Sequence, residues 1–127
     1  MARIIPNDTK EFHNSYGEKL VYEAFKKLPN EYVIFYSLNW NRKQKKEILW
    51  GESDFTVFHP KKGIIVIEVK SGSIQLIEGQ WEQLNIKNWN KIKIKDPMIQ
   101  AERSKYTFLD LLTIARSRKH IEKLHNR

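Results

Sequence analysis

The chain contains no cysteine, which excludes disulfides, thiolate metal centres and a cysteine nucleophile, and fits a reducing compartment. Glycine and proline are sparse, at five and four residues, and neither a phosphate-cradling glycine loop nor a low-complexity linker can be picked out. The opening Met-Ala-Arg-Ile-Ile-Pro-Asn-Asp has no apolar core long enough for a signal peptide, and no later run is long enough to span a bilayer. A soluble, cytoplasmic protein is the expectation. Acids are scarce too, 15 against 23 Lys and Arg for a formal net charge of +8, a balance that favours polyanionic partners such as nucleic acid. His13, His59, His120 and His125 show neither zinc-ligand spacing nor a Ser-His-Asp arrangement, and they receive no role.

What remains is enough for one domain. A chain of 127 residues with 40% hydrophobic and 12% aromatic content holds one compact core and little room for a second, so residues 1–127 are read as a single domain. Apolar residues at Phe12, Tyr16, Leu20, Val21, Ala24, Phe25 and Leu28 follow one helical face, which predicts a first helix over 10–28 closed by Pro29-Asn30. Residues 32–38 read as a strand. The polar run Asn41-Arg42-Lys43-Gln44-Lys45-Lys46 reads as an exposed loop. Residues 53–59 and 63–70 form the two arms of an antiparallel hairpin around Pro60-Lys61-Lys62. Short strand-like pieces at 74–77, around Trp81 and over 91–95 make a small β extension. Asp96-Pro97 then opens a second helix running to about residue 115, with Asp as the cap and Pro in the first turn. A basic tail follows.

The chemistry concentrates at the hairpin. Side chains two apart on a strand share a face, so Glu68 and Lys70 project together. Because Ile64-Ile65-Val66-Ile67 is apolar on both faces, it reads as a central, doubly covered strand, from whose end the two charged groups emerge. A three-residue loop at 60–62 pairs His59 with Gly63 and, five steps on, Asp54 with Glu68; a two-residue loop sets Asp54 opposite Val69, still diagonal to Glu68. Like charges placed so closely are destabilising unless compensated. Lys70 offers one cation, and two converging oxygen donors also suit a hard divalent ion such as Mg²⁺. A metal held in this way activates water against a phosphodiester, with Lys70 neutralising charge on the phosphate. Glu52 shares the strand face of Asp54 and is a reserve ligand. The cations Arg42, Lys43, Lys45 and Lys46 beside Trp40 are the candidate grip on nucleic-acid phosphates, and Trp81 and Trp89 are read as packing residues.

Several ordered segments, Gly17-Glu18, Gly51-Glu52-Ser53-Asp54, the strand ending Glu68-Val69-Lys70-Ser71-Gly72, Trp81, and Asp96-Pro97 followed by Gln100-Ala101, resemble the nuclease-related domain (NERD) family of the PD-(D/E)xK nuclease superfamily. Ser53 stands where the superfamily name has proline. The resemblance implies a restriction-endonuclease-like, three-layer α/β core, a mixed sheet flanked by two helices, with Glu18, Asp54, Glu68, Lys70 and Gln100 forming the site. It also implies Mg²⁺ or Mn²⁺ on Asp54, Glu68 and Glu18, and DNA as substrate, with RNA left open as the alternative. The superfamily core continues into another strand after the second helix, where this chain has only its basic tail. The expectation there is a truncated chain or a last strand that is missing or supplied by a partner. Two rival functions are a non-cutting nucleic-acid-binding module and an interaction domain.

Overall fold

The computed structural model of the chain describes residues 1–85 and 88–125, and the side chains of the last helix as far as Thr113. Among the described residues, two helices and seven strands follow one another as β1 (Arg3–Ile5), α1 (Tyr16–Lys26), β2 (Val33–Gln44), β3 (Glu47–His59), β4 (Gly63–Ile67), β5 (Ser73–Ile77), β6 (Gln80–Leu84), β7 (Lys91–Lys93) and α2 (Pro97–His125). The first four strands make a mixed sheet in the order β1-β2-β3-β4, with β1 parallel to β2 and the other pairs antiparallel. Strands β5, β6 and β7 make the expected β extension, a separate antiparallel sheet. Among the described residues no helix is long and apolar enough to cross a membrane.

The amphipathic stripe of α1 forms one side of the core. Tyr22 is buried and Val21, Phe25 and Leu28 partly so, against Ile34, Tyr36, Phe55 and Val57 of the central strands. Edge-to-face contacts fix the fit, Phe25 on Phe55 at 5.1 Å and Tyr22 on Tyr36 at 5.9 Å between ring centroids. The helix begins later than the apolar pattern predicts. His13 and Asn14 adopt left-handed backbone conformations (φ 51° and 55°), which interrupt the helix, so Ser15 caps it and Phe12 enters the core from the preceding turn.

Two further expectations are corrected. Residues 41–46 are not a loop: β2 continues to Gln44 and β3 begins at Glu47, so the pair extends as a ribbon with its turn at Lys45-Lys46. A ribbon solvated on both sides has no need of apolar alternation, which is why the segment reads as loop. Strand β4 is also an edge strand among the described residues, not a central one, and Ile65 is 56% exposed. Its inward apolar pressure comes from one side, where Ile67 and then Val69 pack against the α1 core.

Helix α2 lies against β2, β3 and β4. Asp96 caps it as expected, its Oδ1 accepting the N–H of Met98 at 2.8 Å. Trp40 locks the helix to the ribbon. Its buried indole covers Gly51, its cross-strand neighbour, and its Nε1–H donates to Ser104 Oγ at 2.8 Å. A Cβ on Gly51 would run into the indole Cζ2 and Cε2 atoms. Gly51→Ala is therefore expected to lower stability by about 1–3 kcal/mol through overpacking, measured as a drop in the denaturation midpoint; an unchanged midpoint would show that the ring moves aside freely.

Candidate active site

The hairpin register comes out as the three-residue loop requires. His59 pairs with Gly63 and the ladder runs to Phe55 opposite Ile67. One step beyond, the strands part, and Asp54 takes over the work of a ladder bond: its Oδ2 accepts the backbone N–H of Val69 at 2.8 Å. This bond holds Glu68 and Lys70 at the lip of the sheet although neither lies within β4. Ser71 anchors the other end. Its Oγ accepts the N–H of Gly17 at 3.0 Å and contacts Ser15 Oγ at 2.8 Å, at the start of α1. Only glycine permits that approach, since a Cβ at position 17 would stand 2.6 Å from Ser71 Oγ.

Asp54, Glu68 and Lys70 open into one cavity of about 310 Å³. Strand β3 adds Trp50 and Glu52, helix α2 adds Gln100 and Arg103, and Lys95 joins from the approach to that helix. Gln100 was an expected member, whereas Arg103 and Trp50 were not singled out in the sequence. Glu68 and Gln100, which both line the cavity, each keep one buried oxygen, Oε1, with no hydrogen-bond partner among the described residues. Burial of an acceptor without a partner is costly, so such atoms point to a missing partner.

Glu18 lies apart from this lining. It is 5% exposed, receives the Tyr36 O–H at 3.1 Å, and lies 3.3 Å from His13 Nδ1. His13, given no role from the sequence, thus stands between Glu18 and Glu52, whose Oε1 is 3.8 Å from His13 Nδ1 and accepts Ser37 O–H at 3.0 Å. Burial and the Glu18 charge raise the Tyr36 phenol above its ordinary range, keeping it a hydrogen-bond donor. The basic residues of the ribbon are elsewhere. Arg42 pairs with Asp110 of α2 at 3.2 Å, Lys43 lies on the ribbon, and Lys45 and Lys46 form its turn. Trp40, expected beside them as an aromatic platform, is buried instead, and Trp89, expected to pack, is 74% exposed.

Electrostatics single out Glu68. Burial, and then the neighbouring Asp54 charge, push its carboxyl from 4.5 up to about 8, against the opposing pull of Lys70. Near neutral pH the folded protein thus holds a proton that the unfolded chain has released. Without divalent metal, this group's contribution to stability should decline as pH rises from about 4.5 to about 8. Glu68→Gln, which cannot ionise, should remove that part of the slope in denaturation curves taken across the window. Identical slopes in the two proteins would exclude a proton held at Glu68.

The family model of the nuclease-related domain matches residues 13–125. No curated protein and no solved structure matches the chain significantly. With nearly the whole chain matched, and the paired carboxylates in place at the end of the hairpin, the protein belongs to the nuclease-related domain (NERD) family.

Proposed function

We propose that the protein is a divalent-metal-dependent nuclease that hydrolyses phosphodiester bonds of DNA at the cavity between Asp54, Glu68 and Gln100. The observation that carries this reading is the pair of buried oxygens without donors, Glu68 Oε1 and Gln100 Oε1, beside a second carboxylate. Among the described residues no three His, Asp or Glu groups form a metal cage. Two carboxylates and an amide oxygen nevertheless suit a hard cation that keeps part of its water, as Mg²⁺ and Mn²⁺ do. Bound there, the cation supplies Lewis acidity toward the phosphodiester and a water of lowered pKa.

Each residue then has a definite task. Asp54 and Glu68 hold the cation, and the Val69 N–H fixes the Asp54 carboxylate in place. Gln100 contributes its free oxygen from α2. Lys70 sets an ammonium against the negative charge that builds on the phosphate, and Arg103 and Lys95 hold neighbouring phosphates. Glu18 acts through its cluster, orienting Tyr36 and His13, and through His13 the Glu52 carboxylate. The ribbon cations Arg42, Lys43, Lys45 and Lys46 add attraction for the DNA backbone at a distance from the cut.

Purified protein with Mg²⁺ or Mn²⁺ should nick DNA, and Asp54→Ala, Glu68→Ala or Lys70→Ala should lower the rate by about a hundredfold or more. Undiminished cleavage by both carboxylate variants would remove the site. Binding has its own readout. Because Glu68 must surrender its proton to hold a cation, Mn²⁺ titrated calorimetrically at pH 7 in buffers of different ionisation enthalpy should release protons, and in Glu68→Gln that release should vanish.

A further inference from the structure

We infer that the substrate is engaged as single-stranded DNA, with an unpaired base stacked on Trp50 at the mouth of the cavity; this rests on the reading of the site as a nuclease centre. The strand period of two places Trp50, Glu52 and Asp54 on one side of β3, and all three line the cavity. At about 3.3 Å per residue, the indole lies roughly 13 Å along the strand from the carboxylates. That is several stacked steps of a duplex at ~3.4 Å each, or a shorter run of extended single strand. Trp50 is 73% exposed and has no hydrogen-bond or ring partner among the described residues. Its neighbour Trp40, by contrast, is consumed by Gly51 and Ser104.

Most of the Trp50 indole surface lies outside the packing of this fold. Its face is available to a planar ligand, and nucleic-acid bases are the planar partners of a phosphate-binding cavity. Within a duplex both faces of each interior base are already covered, so a ring can stack only where a base is unpaired. The cavity itself, about 310 Å³, sits at the lower end of small-molecule clefts, a size that suits a single nucleotide. Arg103 and Lys95, without ion-pair partners among the described residues, supply the charge for the intervening phosphates.

Binding of fluorescently labelled oligodeoxynucleotides, followed by anisotropy in EDTA, tests this without any cutting. The wild-type chain should bind a single strand of mixed sequence more tightly than the matching duplex. Trp50→Ala should weaken single-strand binding five- to a hundredfold while leaving duplex binding unchanged, and Trp50→Phe should retain most of the affinity. Because the side chain is exposed, the thermal midpoints of both variants should match the wild type. Equal losses on single strand and duplex, no loss in Trp50→Ala, or tighter binding of the duplex would each overturn the inference. Should the single-strand preference hold while Asp54→Ala and Glu68→Ala cut as well as wild type, the catalytic reading fails and the binding mode stands.

Discussion

The site depends on one hydrogen bond between a side chain and the backbone. Where β3 and β4 separate, the Asp54 carboxylate accepts the Val69 N–H and substitutes for the ladder bond that the departing strands no longer make. An aspartate used in this way is committed in position, so its second oxygen is aimed before any ligand arrives. Glu68, the residue before the donor, is thereby brought beside it. Burial, and then repulsion from Asp54, keep a proton on Glu68, whose pKa rises to about 8. A carboxyl beside a second carboxylate thus stays neutral near neutral pH.

Around that bond the chain arranges further restraints. Tyr36, Glu18 and His13 tie the start of α1 to the sheet, and His13 continues the contact to Glu52. Trp40 ties the ribbon to α2 through Ser104, which fixes Arg103, the residue before it, and Gln100, one turn earlier, relative to β2. The Arg42–Asp110 pair makes a second link between the same elements, although its exposure limits its worth to a fraction of a kcal/mol. The cavity is thus bounded by elements from three distant parts of the chain.

How much of this was legible in the sequence follows from how local each signal is. The Asp54–Glu68 encounter was legible because a short turn and a strand period determine it by counting, and the α2 start because Asp96-Pro97 is a local cap. Residues 41–44 were misread because a ribbon wetted on both sides carries no apolar period. The three residues of β1 are too few to signal anything alone, and they become a strand by pairing with β2 in parallel. The edge position of β4 was hidden because Ile64-Ile65-Val66-Ile67 has the composition of a buried strand whatever lies beside it. Trp40 and Trp50 look equivalent in sequence; a glycine opposite one of them and a serine on a distant helix decide which is buried. The His13 contacts, spread over residues 18, 36, 37 and 52, leave no spacing to recognise.

The last ladder pair and the two anchors that follow it also act as a ruler. The ladder ends at Ile67, Asp54 grips the chain at Val69 and the first turn of α1 grips it at Ser71, so the stretch that carries Glu68 and Lys70 has no slack. Adding or deleting one residue there would move Glu68, Lys70 or both off the lip. The turn at 60–62 and the β5–β6 turn lie outside that span. Length variation among relatives should therefore collect in such turns and be absent from the short stretch that carries the charges.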